Sequence, residues 1–117
     1  MSTRCVINFV EGTQHAAKIY RHCDGYPDGE HGVPASLQQF FADVKKQATD
    51  TRFGDASYLA AKFVVWQADQ NAGDSDKPLD FISLGIITSD PGDIEFVYTV
   101  DCGRMTDGKP TVDHRHA

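Results

Sequence analysis

Strand-like sequence lies at both ends of this chain and helix-like sequence lies between, and this order restricts the possible folds more than any other feature. Runs of β-branched and aromatic residues over 5–10 and 15–22 predict two strands joined by a turn. Apolar residues at helical spacing then predict helices over 34–49 and 57–70. Asp55 is a suitable N-cap for the second helix.

The last third of the chain predicts two more strands, over 81–88 and 94–101. Pro91 and Gly92 lie between them, a combination typical of a hairpin turn. The sequence is also compatible with a short edge strand over 111–114. We therefore predict an α+β fold: an antiparallel sheet of four to five strands with two helices packed on one face, in the order ββααββ with one further strand allowed.

Length and charge narrow the class of protein. A chain of 117 residues is predicted to form one domain, spanning 1–117. Its 11 basic and 17 acidic residues give a net charge of −6, which argues against general nucleic-acid binding.

No apolar run approaches the roughly 20 residues that a membrane span needs, and the first residues lead into a strand, so we expect a cytoplasmic protein without membrane contact. Three widely spaced cysteines predict no disulfide framework.

The alternation of residues in the predicted strands leaves apolar side chains on both faces of the sheet. Tyr98 and Val100 are expected to face the helices. A contiguous apolar patch on the other face would be unusual for a monomer, so we predict a homodimer or a partner-binding sheet face. The alternative is that these residues are scattered, or covered by the C-terminal segment. The residues expected on the outer face are Val6, Val10, Phe81, Ile87 and Val97.

The segment 20–31 carries more chemically versatile side chains than any other part of the chain. Gly25, Pro27 and Gly29 exclude regular structure there, and binding groups commonly lie in such strand-to-helix loops. Tyr26-Pro27 is a candidate for a tight bend and for a cis peptide bond. The predicted binding residues are Tyr20, Arg21, His22, Asp24, Tyr26, Pro27, Asp28 and His31.

The same segment contains residue types that bind metals, but their spacing matches no established zinc pattern, so we predict no metal and no cofactor. Asp24 and Asp28 are equally suited to making side-chain turns. His22 and Cys23 are adjacent on a strand and so point to opposite faces, which is unsuitable for a catalytic pair. The sequence has no phosphate-binding loop, nucleophile elbow or HExxH helix, so no catalytic residue is predicted.

A local motif adds a resemblance. Tyr20-Arg21-His22 followed by Asp24-Gly25-Tyr26-Pro27, between a strand and an amphipathic helix, resembles a motif of small uncharacterised bacterial and bacteriophage proteins. The resemblance covers about the first third of the chain and implies no catalytic assignment. It implies instead a protein encoded by a phage or mobile element that blocks a host protein, such as a CRISPR-type defence effector.

Three functional hypotheses follow. In the first, a non-enzymatic binding protein docks its acidic surface on a basic patch of a host protein, which long-range charge would accelerate. In the second, the loop 20–31 binds a nucleotide-like or anionic small molecule through Arg21 or Tyr26, between subunits. In the third, the least favoured, a small enzyme uses His22 and Asp24 for proton transfer.

Overall fold

The computed structural model describes residues 2–117, and within them the chain forms five strands and two α-helices. The α+β class is therefore confirmed. None of these helices is both long enough and apolar enough to span a lipid bilayer. In chain order the elements are β1 (Cys5–Glu11), β2 (Gln14–Arg21), α1 (Val33–Gln47), α2 (Ala56–Ala72), a 3₁₀ turn (Pro78–Phe81), β3 (Leu84–Ile87), β4 (Phe96–Thr106) and β5 (Lys109–His116).

The five strands form one sheet in the order β3-β2-β1-β4-β5. Three of the neighbouring pairs are antiparallel, but β1 and β4 run parallel, with Cys5 opposite Phe96 and Val10 opposite Asp101. The prediction of a wholly antiparallel sheet is thus corrected to a mostly antiparallel sheet with one parallel pair. β1 is the central strand of the sheet, with β2 on one side and β4 on the other.

The predicted hairpin around Pro91 and Gly92 does not form. β3 and β4 are parallel and lie on opposite sides of the β1–β2 pair, and a tight turn cannot join parallel strands. The connection 88–95, called the crossing segment below, instead passes over the sheet face opposite the helices. Lys18 Nζ lies 2.6 Å from an oxygen of Asp90, and Arg4 Nη1 lies 3.1 Å from an oxygen of Asp93.

Both helices pack on one face of the sheet, as predicted. Asp55 caps α2 by accepting a hydrogen bond of 3.3 Å from the backbone N–H of Tyr58. Aromatic rings link the layers: the centroid of Phe63 in α2 lies 5.2 Å from that of Phe40 in α1 and 5.8 Å from that of Phe9 in β1. All three rings are fully buried, and burial of such a side chain contributes about 1.5–3 kcal/mol.

The outer face of the sheet carries no open apolar patch of the kind predicted from the sequence. Val6, Val10 and Val97 are buried within the chain itself, and the crossing segment runs over this face. Phe81 belongs to the 3₁₀ turn and not to the sheet, while Ile87 is half-buried in β3. Self-association remains a prediction, but this surface no longer supports it.

The C-terminal residues form a longer strand than expected. β4 and β5 are joined at Asp107 and Gly108, whose φ angles of +53° and +76° fit a two-residue hairpin turn. β5 extends well beyond the predicted edge strand 111–114. The terminal Asp113 to His116 is therefore an exposed strand end, with the ring of His116 centred 4.8 Å from that of Phe96.

Candidate functional site

The loop between β2 and α1 is fastened to the centre of the sheet at Gly25. Its N–H donates to the carbonyl oxygen of Thr3 at 2.9 Å, and its own carbonyl accepts a hydrogen bond of 2.6 Å from the phenol of Tyr98. A Cβ at position 25 would lie 2.7 Å from the Thr3 oxygen and 2.9 Å from Cys5 Cβ, so only glycine fits. Burial raises the pKa of Tyr98, which keeps the phenol protonated as a donor.

The rest of the loop is bent by backbone conformation without a cis peptide. Asp24 and Gly29 have φ angles of +55° and +82°, and the bond between Tyr26 and Pro27 is trans, so that part of the prediction is wrong. The phenol of Tyr26 donates to Asp24 Oδ1 at 3.3 Å. Partial burial and the neighbouring Asp24 carboxylate both raise the pKa of Tyr26. The N–H of Val33 donates to the Tyr26 carbonyl at 3.0 Å and closes the loop onto α1.

Arg21 ends β2 on the helix side of the sheet and is only 8% exposed. Its Nε donates to the carbonyl oxygen of Cys23 at 3.0 Å, and its Nη2 donates to that of His31 at 3.5 Å. These two bonds tie the beginning and the end of the loop to one side chain. Nη1 is buried and has no hydrogen-bond partner among residues 2–117. A buried donor left unpaired costs about 1–3 kcal/mol, and more when it is charged.

A second unpartnered polar atom lies on α2. Asn71 donates through Nδ2 to the carbonyl oxygen of Phe81 at 3.2 Å and to Ser83 Oγ at 2.9 Å, which fixes the orientation of its amide. Its Oδ1 then accepts from Gln67 Nε2 at 3.1 Å. The amide of Gln67 is thereby also fixed, and its Oε1 is a buried acceptor with no partner in the described part of the chain.

Arg21 and Gln67 line the same cavity, an open pocket of about 360 Å³ that we call the Arg21 pocket. It lies where the loop meets the C-terminal part of α2 and the 3₁₀ turn. The walls thus include one residue with a buried unpaired donor and another with a buried unpaired acceptor, a combination that suits a ligand able to supply both hydrogen-bonding partners. The lining residues are Arg21, Cys23, Asp24, Gln67, Asn71, Asp80, Phe81, Ile82 and Ser83.

The predicted site residues divide between the two faces of the sheet. Tyr20 and His22 lie on the outer face, where the Tyr20 hydroxyl is 3.2 Å from His22 Nδ1. Arg4 Nε also donates to that nitrogen, at 3.4 Å, so Nδ1 acts as an acceptor. Of the predicted binding residues, only Arg21 and Asp24 line the Arg21 pocket. The alternation along β2 separates Tyr20 from Arg21, and His22, just after the strand, lies beside Tyr20.

The remaining predicted residues contribute to the loop. Asp28 and His31 are exposed, Pro27 is half-buried, and His31 Nε2 lies 3.6 Å from an oxygen of the adjacent Glu30. Within residues 2–117, no three His, Cys, Asp or Glu side chains are grouped closely enough to hold a metal ion.

The sequence did not identify Gln67, Asn71, Asp80 or Ser83. Polar residues near the end of an amphipathic helix are ordinary solvent-facing residues by pattern. Asn71 lies just beyond the predicted helix 57–70, although α2 continues to Ala72. Only the tertiary contact with the 3₁₀ turn brings these residues to the pocket, and no local signal encodes that contact.

Comparisons with protein-family models, with curated protein sequences and with solved structures give no match. The functional interpretation therefore depends on the geometry of the Arg21 pocket itself.

Proposed function

We propose that this chain is a non-enzymatic binding protein that holds a small molecule in the Arg21 pocket through an acidic group of that molecule. The observation that carries the proposal is the unpartnered Nη1 of a side chain that is more than nine-tenths buried. A guanidinium presents a planar set of donors that matches carboxylate and phosphate oxygens. A hydrogen bond to such a charged group contributes about 1.5–3 kcal/mol.

The guanidinium is already ordered before any ligand arrives. Nε and Nη2 of Arg21 are held by the carbonyls of Cys23 and His31, and the loop is in turn fastened to the sheet by Gly25. A ligand therefore does not have to immobilise a flexible arginine, which would cost about 0.5–1.5 kcal/mol. A ligand oxygen at Nη1 would also relieve the penalty of an unpaired buried donor.

Binding is favoured over bond-making by the chemistry of the two unpartnered groups. An arginine side chain stays protonated in proteins, and the side-chain amide of Gln67 does not titrate, so neither can act as an acid or base. Arg21 and Gln67 can orient a ligand, but they cannot transfer a proton to or from it. This is the small-ligand hypothesis from the sequence, with Arg21 as its anchor.

The experiment is a titration of the ¹⁵N-labelled chain with inorganic phosphate and with acetate, followed by NMR. We expect the side-chain Nε–H of Arg21 and the backbone amides of 22–31 and 67–71 to shift. Arg21→Met should weaken binding by at least about tenfold, the equivalent of 1.4 kcal/mol. Arg4→Met is the matched control, because Arg4 lies on the opposite face of the sheet.

Two results would contradict the proposal. One is a set of shifts confined to the surroundings of Arg4, and the other is unchanged binding in a folded Arg21→Met variant. Because Arg21 also ties the loop together, Gln67→Met provides a second variant that leaves those ties intact. It should weaken binding of inorganic phosphate, whose hydroxyl can donate to Gln67 Oε1, without altering the spectrum of the loop in the free protein.

Blocking of a host protein by a phage-encoded chain stays a prediction. It depends on the motif resemblance around Tyr20 and Tyr26 and on the net charge of −6. Affinity purification from the native host, with the loop variant Gly25→Ala as a comparison, tests it separately from ligand binding. Recovery of the same host protein at the same yield with Arg21→Met, in which small-molecule binding should be weakened, would show that host-protein binding and small-molecule binding are independent.

A further inference from the structure

The charges around the Arg21 pocket do not favour a ligand that is only an anion. Arg21 supplies one positive charge, but Asp24 and Asp80 also line the pocket. Among residues 2–117, no Lys, Arg or His lies within ion-pair distance of either carboxylate. A negative charge brought by a ligand would therefore be attracted to Arg21 and repelled by the two aspartates.

The pocket also has an excess of acceptors. Gln67 Oε1 is buried without a donor, and the carboxylate of Asp24 receives only the long 3.3 Å bond from Tyr26. Asp80 lies at the exposed rim, in the 3₁₀ turn. A protonated amine offers three donors and no acceptor, together with the positive charge that offsets the aspartates. It is the ligand group that matches this side of the pocket.

We infer that the ligand of the Arg21 pocket is a zwitterion, a small molecule that carries a protonated amine together with its carboxylate or phosphate. This inference rests on the proposed function. The acidic group meets Arg21 Nη1, and the amine meets Gln67 Oε1 and the carboxylates of Asp24 and Asp80. The pocket volume of about 360 Å³ admits molecules of amino-acid size.

The test compares matched compounds by calorimetric titration of the full chain. γ-Aminobutyrate is compared with butyrate, which lacks the amine, and with propylamine, which lacks the acid. Glycine, β-alanine and 6-aminohexanoate vary the spacing between the charges, and phosphoethanolamine replaces the carboxylate. The best zwitterion should bind at least about tenfold more tightly than its matched acid and amine, because each of these lacks one of the two charged hydrogen-bonding groups.

A charge-removing variant separates the two ends of the ligand. Asp80→Asn should weaken binding of the best zwitterion about threefold to tenfold and strengthen binding of its matched acid, because one repulsive charge is removed. Asp76→Asn is the control. Asp76 is an exposed carboxylate just before the 3₁₀ turn, and it does not line the pocket. Both side chains are exposed, so we expect neither substitution to alter the folded core.

The outcomes distinguish this inference from the proposed function. If the acid alone binds as tightly as every zwitterion, and Arg21→Met abolishes that binding, the inference is wrong and the proposed function stands. Equal binding of the amine alone also overturns the inference. If no acid, amine or zwitterion binds and Arg21→Met changes nothing, both proposals are wrong.

Discussion

The phenol of Tyr98, near the start of β4, donates a hydrogen bond of 2.6 Å to the carbonyl oxygen of Gly25 in the loop. The bond joins the core of the sheet to the candidate site. Tyr98→Phe should lower the free energy of unfolding by about 1–3 kcal/mol, because the buried carbonyl loses its donor. Urea denaturation measures this. Tyr20→Phe is the control, and an equal loss in the two variants would contradict the prediction.

Gly25→Ala should destabilise the protein by about 1–3 kcal/mol, the usual cost of forcing an extra carbon into a packed site. The new Cβ would approach the Thr3 oxygen to 2.7 Å, so the loop or the N-terminal segment must shift. Gly54→Ala is the matched substitution in open space, with nothing within 4 Å, and should be nearly neutral. Thermal denaturation of the pair tests this, and a neutral Gly25→Ala would show that the loop is not held at that point.

The three cysteines should differ sharply in reactivity. Cys23 is exposed, whereas Cys5 and Cys102 are buried, and burial raises the pKa of each buried thiol to about 12. Since the thiolate is the reactive form, a disulfide reagent at pH 8 should label one thiol rapidly in the folded protein and all three in denaturant. Cys23→Ser should abolish the rapid phase. A rapid phase that persists in this variant would place a buried thiol within reach of solvent.

Stability should fall at alkaline pH for the same reason. The pKa of Cys5 and that of Cys102 rise from 9.0 in the exposed thiol to about 12 in the fold, so the unfolded chain loses these protons first. Their contribution is complete below pH 9 and is lost between pH 9 and 12, at about 1.4 kcal/mol per pH unit for each thiol. Urea midpoints at pH 8 and pH 10 measure the loss. A Cys5→Ala, Cys102→Ala double variant should show a smaller fall than Cys23→Ser.

The contact between the helices gives a further prediction. The indole N–H of Trp66 donates to Asp43 Oδ2 at 2.8 Å, at the edge of a groove of about 620 Å³ between α1 and α2. Asp43→Ala should cost about 1–2 kcal/mol, because the half-buried indole loses a charged acceptor. Asp69→Ala, an exposed carboxylate on the same groove, should change the stability by less than about 0.5 kcal/mol. Equal effects in urea denaturation would contradict the assignment.

Local sequence patterns predicted the elements well but not their arrangement. The helical spacing of Leu37, Phe40 and Phe41 and the capping residue Asp55 identified both helices, since each signal acts within one or two turns. The turn chemistry of Pro91 and Gly92 suggested a hairpin because such residues favour tight turns locally. The pairing of Cys5 with Phe96 overrides this preference, and it depends on contacts between distant residues that no local pattern records.

The candidate site was predicted only in part. The density of polar and glycine residues located the loop, and Arg21 was among the predicted residues. The prediction grouped Tyr20 and His22 with Arg21, but strand alternation places Tyr20 on the opposite face of the sheet, where it contacts His22. The partner of Arg21 across the pocket, Gln67, was beyond prediction because it is contributed by another element and is recognised only by the hydrogen bond that it lacks.

The crossing segment also constrains the order in which the fold can assemble. Because β4 pairs with β1 from the opposite end of the chain, through residues 88–95, we expect the parallel pair to form after the local hairpins. Such distant pairing slows folding relative to a chain of simple hairpins. Until β4 pairs with β1, the edge of β1 that β4 will occupy would stay open to other strands, and we expect the chain to aggregate more readily in this interval.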